Sequence, residues 1–410
     1  MHFLYNLGIR FYSIFILIAS FFNPKAKEWI DGRKNFFKKL PELTNENVYW
    51  FHCASLGEFD QALPVINLLK EKDSSIFILV TFFSPSGYLH FHKRKHLADY
   101  VCYLPADTPK NAKKFIAYFK PKKVFFVKYE FWANYIFEAK KNKAILFSLS
   151  SIFREKQHFF KPQGGFFRKI LQQFDFFFVQ DDYSKKLLLS IGIDQSIISG
   201  DTRYDRVIEN KNQLEPNVIL EDFLKGEKAF IIGSSWPEDE QIILPFVNSD
   251  QINQKVIIAP HDISEKHIDA ISIELTVKHI RFTSLLKGTK ITDEKVIIID
   301  TIGHLTNAYN YGDIAYVGGG FSGSLHNILE PTVFGLPVIF GPKFSKFPEA
   351  QTFIDFGNGF SIHESDSFLK TYLYIFQNYS AIQEKTFEII QLNKGASLKI
   401  IYHLQENNFI

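Results

Sequence analysis

Cysteine is nearly absent: Cys53 and Cys102 are the only two in 410 residues. That is too few for a disulfide framework or a cysteine-built zinc site, and it suits a reducing compartment. Neither sign of charge dominates, with 47 Lys and Arg against 44 Asp and Glu; a net +3 is not the footprint of a nucleic-acid binder, so no nucleic-acid partner is expected. Low-complexity tracts and short-period repeats are missing as well. Disorder is excluded, because 46% hydrophobic residues can bury a large core. The length predicts two or three domains, two being the simpler expectation, since a single core rarely grows past about 300 residues. Phe is unusually frequent, 45 of 410. Biased base composition of the gene explains that as simply as a functional demand does.

Long apolar runs are scarce, and the exception lies at the start. Residues 3–22 are apolar apart from Asn6, Gly8, Arg10, Ser13 and Ser20, and the charge-free part, FYSIFILIASFF (11–22), is short. A full span needs about 20 apolar residues, so the segment reads as a marginal transmembrane helix or a monotopic anchor. No small-x-small site follows Phe22 and the basic residues come after the apolar run, which argues against a cleavable signal. Residues 1–40 carry Arg10, Lys25, Lys27, Arg33, Lys34, Lys38 and Lys39 against Glu28 and Asp31, a local excess of positive charge, while the rest of the chain is slightly acidic. This basic trailer predicts a body on the cytoplasmic face of the inner membrane. A buried first helix of a soluble protein is the alternative.

Beyond Pro41, apolar strand-like runs alternate with helical stretches. The runs are 48–52, 76–83, 124–128, 144–150 and 174–180; helices are expected over 61–72, 109–119 and 183–191. Such alternation predicts a parallel, doubly wound sheet covered on both faces. Residues 207–228 are polar and read as an interdomain connection. A second series then follows at 229–235, 255–260, 295–300, 313–319 and 336–342. The expected organisation is an anchor and basic trailer (1–40), a Rossmann-like domain (41–206), the connection (207–228) and a second Rossmann-like domain (229–410), with the two domains facing a central cleft.

Open α/β sheets bind ligands at the carboxyl ends of their strands. After the first strand comes Ser55-Leu56-Gly57-Glu58, where Gly57 suits a tight turn and Glu58 opens a helix as a possible general base. The same Ser-x-x-Glu spacing is a capping box that satisfies helix amides, and taken alone the cap is the favoured reading. In the second half, Gly318, Gly319, Gly320 and Gly323 offer amides to a phosphate at a helix N-terminus. Glu330 follows within that helix, a carboxylate suited to a ribose diol. His90, His92 and His96 have metal-like spacing but lie in a lysine-rich stretch and read as a solvated helix face.

The block His326-Asn327-x-x-Glu330-Pro331, followed by a Phe-Gly-x-Pro-Val-x-Phe-Gly-Pro run at 334–342, resembles the 3-deoxy-D-manno-octulosonic acid (Kdo) transferases. So do Ser55-x-Gly57-Glu58, Glu130-x-Trp132-x-Asn134 and the turn Gly200-Asp201-Thr202-Arg203-Tyr204-Asp205. The resemblance spans nearly the whole chain. It implies an α/β fold of GT-B type with an N-terminal anchor helix, and an inverting glycosyltransferase that moves Kdo from CMP-Kdo to a lipid A precursor without metal or other cofactor. It implies Glu58 as catalytic base, and Ser55, Gly57, Glu130, Trp132 and Asn134 as acceptor-side or supporting residues. On the donor side it implies Arg203, Ser234, Ser235, Pro260, His261, Gly318, Gly319, Gly320, His326, Asn327 and Glu330. The Phe- and Lys-rich stretches 159–169 and 88–96 are candidates for acceptor contact, with core packing as the alternative.

Departures from the family pattern are equally legible. Ala259-Pro260-His261 stands where the family shows Pro-Arg-His, so an expected arginine is missing. Ser148-Leu149-Ser150-Ser151-Ile152 replaces an Asn-Ala-Arg-x-Ser loop, and Ser234-Ser235-Trp236 replaces a Ser-Thr-His turn. The competing readings are a GT-B lipid-linked sugar transferase that uses a UDP donor, and a non-catalytic anchored binding protein.

Overall fold

The computed structural model covers the chain and describes every residue except Thr44, Asn45 and Asp250. Two compact units result: Met1–Arg206 joined by Lys394–Ile410, and Val207–Asn393. In the first, β1 (Val48–Cys53), β2 (Phe77–Phe82), β3 (Tyr100–Tyr103), β4 (Lys123–Val127), β5 (Ile145–Ser151), β6 (Phe176–Val179) and β7 (Ser196–Ile198) form one parallel sheet in the order β3-β2-β1-β4-β5-β6-β7. In the second, β8 (Ala229–Ser235), β9 (Lys255–Pro260), β10 (His279–Arg281), β11 (Val296–Ile298), β12 (Gly312–Val317), β13 (Val338–Phe340) and β14 (Gly359–Ser361) take the order β10-β11-β9-β8-β12-β13-β14, again parallel. Each unit is Rossmann-like, the pairing of a GT-B fold.

The strands missing from the sequence pattern are β3, β7, β10 and β14, and these are the two edges of each sheet. An edge strand has a neighbour on one side only, so it is short and half exposed and lacks a long apolar run; His279–Arg281, for example, has no buried residue. The helix expected from residue 61 begins at Leu56 (α3, Leu56–Lys72), because Ser55 caps it there.

Much of the excess Phe is core. Across β1, β4 and β5 the rings of Phe51, Phe125 and Phe147 stack at 4.4 and 4.9 Å, and Phe178 on β6 continues the ladder at 6.1 Å. Neighbouring parallel strands place same-face side chains side by side, and aromatic pairs at these spacings add to plain burial. On the other face, Trp50 packs on Phe115, Phe126 and Tyr135.

Two domain boundaries differ from the pattern-based expectation. Residues 207–228 are not a bare connection: a helix runs from Thr202 to Asn212, another spans Val218–Leu224, and Leu220, Phe223 and Leu224 are buried in the second unit. The C-terminal helix Ala396–Glu406 belongs to the first unit, where Ile400, Ile401 and Leu404 pack beside Phe51 and Phe59. Asp205 fastens it, accepting from Gly395 N–H at 2.5 Å, Ser397 N–H at 2.6 Å and Ser397 Oγ at 2.7 Å. Helix amphipathicity does not reveal which sheet a terminal helix will cover. We expect Asp205→Ala to destabilise the first unit by about 2 kcal/mol, as loss of a charged cap does. Denaturant unfolding, with faster amide exchange over residues 396–406, checks this.

Candidate functional site

In the first sheet the strand order reverses between β1 and β4, which pair directly, His52 against Phe126. Such a switch point opens a crevice at the carboxyl ends of the strands. The loop after β1 carries Ser55, and Glu58 lies in the first turn of the helix it caps; the loop after β4 carries Glu130 and Trp132, and Asn134 lies in the first turn of the helix Ala133–Lys141. Glu58 is 7% exposed and its Oε2 accepts a hydrogen bond from Ala54 N–H, while Ser55 Oγ accepts from Glu58 N–H at 3.4 Å. The capping contacts therefore exist, and they hold the same carboxylate a base would need. Burial, together with the negative Glu130, pushes the Glu58 carboxyl up to about 8.

A polar chain extends from that point. Trp132 Nε1–H is shared between Glu130 Oε2 at 2.9 Å and His52 Nε2 at 3.0 Å. His52 Nδ1 lies 2.8 Å from Thr81 Oγ1, which also accepts from Trp50 Nε1 at 2.8 Å. The Trp132 ring stacks on Phe83 at 4.8 Å. Gly57 is not needed for a tight turn: it lies in the first turn of α3 without positive φ, and a Cβ there would meet nothing within 4 Å. Its bare backbone instead leaves open space next to Glu58.

Asn134 points elsewhere. Its amide holds the N-terminal helix α1 (His2–Ala19), with Oδ1 2.9 Å from His2 Nε2 and Nδ2 donating to Asn6 Oδ1 at 2.8 Å. Arg203 is a residue of the first unit and is occupied by Asp201, with Nε at 2.8 Å and the second guanidinium nitrogen at 2.7 Å; Gln61 Nε2 also donates to Asp201, at 3.1 Å. Arg168 closes its own loop by donating to the carbonyls of Phe159, Lys161 and Pro162. The phenylalanines at 159, 160, 166 and 167 pack against the core, as the plainer reading of that stretch has it.

In the second unit the order reverses between β8 and β12. Ser234, Ser235 and Trp236 leave β8 where Gly318, Gly319 and Gly320 leave β12. The two turns press together: a Cβ on Gly318 would lie 2.2 Å from Ser234 O, and Ser234 itself adopts φ +53°. Strain of this kind gathers at functional sites. The expected phosphate cradle is partly filled, however. Gly318 N–H donates to Gly233 O at 2.9 Å and Gly319 N–H to Asp239 Oδ2 at 2.9 Å. The helix that carries Glu330 is only Leu329–Thr332, too short to present a strong dipole. Glu330 accepts from Thr306 Oγ1 and Asn327 Nδ2, both at 3.3 Å.

An aromatic triad stands where the family pattern has charge. The ring of His261, the residue after Pro260, stacks on Trp236 at 4.4 Å and 16°, and His326 lies against His261 at 4.6 Å. Trp236 Nε1 donates to His326 Nε2 at 3.3 Å; an indole N–H can only donate, so the neutral imidazole proton sits on Nδ1. Burial and the neighbouring His261 lower His326 to about 4. Sequence reasoning missed Asp239 and Glu240. Asp239 accepts from Trp236 N–H, Gly319 N–H and Tyr316 OH at 2.6–2.9 Å, tying both turns together. Buried Glu240 holds Ser235 Oγ at 2.7 Å and His267 Nε2 at 3.2 Å. Their only sequence signal was an acidic first turn, which reads as ordinary helix capping. Among the described residues, no group of three or more His, Cys, Asp and Glu is placed to hold a metal ion.

Residues 30–206 match the family model described as 3-deoxy-D-manno-octulosonic-acid transferase (kdotransferase). The chain is 28% identical over 366 residues to the 3-deoxy-D-manno-octulosonic acid transferase of Aquifex aeolicus, covering 87% of this chain and 94% of that protein. It is 25% identical over 396 residues to a bifunctional glycosyltransferase/methyltransferase of Fusobacterium nucleatum, covering 94% of this chain but only 61% of that longer protein. A crystal structure of UDP-N-acetylglucosamine 2-epimerase superposes with TM-score 0.61 at 13% identity, covering 90% of this chain and 98% of that one, a likeness of fold.

The raised Glu58 acid has a consequence for stability. Its folded value of about 8 lies above its ordinary 4.5, so the stability it contributes is complete below about pH 4.5 and is lost as pH rises through about 8. Glu58→Gln is expected to remove that slope. Thermal midpoints of wild type and variant, compared from pH 5 to pH 9, should diverge in the variant's favour toward high pH.

Proposed function

We propose that this chain, which is similar to the Kdo transferases over most of its length, is a glycosyltransferase of that family and transfers Kdo from CMP-Kdo to a lipid A precursor with inversion at the anomeric carbon. The observation that carries the reading is Glu58: a buried carboxylate at the switch point of the first sheet, held by Ala54 N–H, with its affinity for a proton raised toward neutrality. A general base works best with a pKa near the working pH.

Glu58 takes the proton of a primary hydroxyl on the acceptor sugar. The hydroxyl oxygen forms the new bond to the anomeric carbon as the bond from that carbon to the CMP phosphate oxygen breaks, and the electron pair leaves with CMP. Glu130 keeps Glu58 basic by its negative charge, and through Trp132 and His52 it is held in place by side chains rather than by solvent. The second unit binds the donor. Its Trp236–His261–His326 face and the strained Ser234–Gly318 contact replace the arginine chemistry of the family pattern, and His326, neutral above about pH 4, offers Nδ1–H to an oxygen. Ser55, Ser235, Asn327 and Glu330 remain supporting members of these two sites.

The membrane reading rests on α1, which among the described residues is the one helix long and apolar enough to cross a bilayer by length and composition. It supports a seat at the cytoplasmic face of the inner membrane, where a lipid acceptor is met.

In a detergent or vesicle assay with CMP-Kdo and a lipid A precursor, mass analysis should find Kdo-bearing product. Glu58→Gln should lower the rate by about 10² to 10⁴ with donor binding retained, as loss of a general base does. Because the base must be ionised, the wild-type rate should rise with pH, pass half its maximum near 8 and level off above it. Near-normal transfer by the variant would remove Glu58 from this role, and tighter binding of UDP than of CMP would point to a different donor.

A further inference from the structure

α1 has 18 residues, about 27 Å at 1.5 Å per residue, a little under the hydrocarbon thickness of a bilayer. It does not stand free. At its start His2 and Asn6 bond to Asn134, and Tyr5 OH donates to Asp107 Oδ2 at 2.6 Å. Two turns on, Tyr12 stacks with Phe83 at 6.3 Å and meets Trp29 edge-on at 6.4 Å. That aromatic seat is held by Arg33, whose guanidinium donates to Phe83 O at 2.6 Å, Leu104 O at 2.8 Å and Trp29 O at 3.1 Å, and lies over the Trp29 ring at 3.9 Å. Residues 2–12 are thus fastened along the flank of the first unit, over about 15 Å.

The opposite side of α1 and the turn after it is bare. Phe3, Phe11, Phe15, Phe21 and Phe22 are 62–86% exposed. Arg10, at the middle of the helix, is exposed too, and Lys25, Lys27, Lys34, Lys38 and Lys39 follow on the surface.

We propose that α1 does not cross the bilayer but lies in its plane, as a fixed ridge of the first unit whose apolar stripe enters the acyl region while Arg10 and the lysines meet anionic headgroups. This rests on the membrane reading above and gives it a geometry. A helix standing across the bilayer would carry Asp107 and Asn134, bound to its first turns, into hydrocarbon together with Arg33, which holds the seat of Tyr12, and would set Arg10 at mid-depth, where charge is least tolerated. Lying flat, the helix keeps those contacts in the protein and lets Arg10 snorkel to the headgroups. The occupant is an anionic phospholipid surface.

Single cysteines at Phe3, Phe11 and Phe22, placed in the full-length chain, can carry a fluorophore; Cys53 and Cys102 are buried and escape labelling. Quenching by phospholipids brominated at different depths, in vesicles of phosphatidylethanolamine and phosphatidylglycerol, reads the depth of each label. A flat helix gives three equally shallow depths, all from the leaflet to which protein was added. A deep Phe11 label between two shallow ones in opposite leaflets overturns the proposal. Absence of any vesicle binding overturns the membrane reading itself, and with it this geometry.

Discussion

Parallel strands cannot be joined by a tight turn; the chain must cross over before it can add the next strand. In each unit this gathers the carboxyl ends of seven strands along one edge of the sheet, with helices over both faces. The candidate catalytic and donor-side residues lie near those edges, and specifically where the winding reverses. Two loops that leave neighbouring strands in opposite directions cannot cover each other, so the gap between them is where side chains such as Glu58 and Glu130, or turns such as Ser234 and Gly318, come together.

The chemistry follows from how those edges are filled. Glu58 shows that a cap and a base need not be alternatives. The carboxylate that accepts from Ala54 N–H is also buried, and burial, with Glu130 nearby, raises its proton affinity by more than that hydrogen bond lowers it. In the second unit Asp239 uses its carboxylate differently: three donors satisfy it, and it joins the β8 turn, the glycine loop and Tyr316 into one piece. The glycines there serve close approach of two backbones as much as any ligand.

Compared with the departures from the family pattern, the structure supplies substitutions of kind rather than of charge. Trp236, His261 and His326 make an aromatic stack next to Pro260, which stands where a guanidinium is expected, and burial keeps His326 uncharged. Asn134 serves α1 instead of facing the loop that carries Glu130, which makes the N-terminal helix part of the first unit.

Residue pattern was enough for the parallel α/β class, the central strands of both sheets, the apolar start with its basic trailer, and the strand ends near which Glu58, Glu130, Gly318–Gly320 and His326 fall. Those features depend on local patterning: buried strands must be continuously apolar, and loops at their ends must be polar or glycine-rich. Tertiary structure alone decided the edge strands, the return of residues 396–406 to the first unit, the engagement of Arg203 and Arg168 within their own loops, and the inward polar stripe of α1. The strand edges, the returning helix and the stripe of α1 turn on partners met across a large separation in the chain, and the two arginines on which of several nearby acceptors the folded loop presents; no local pattern encodes those choices.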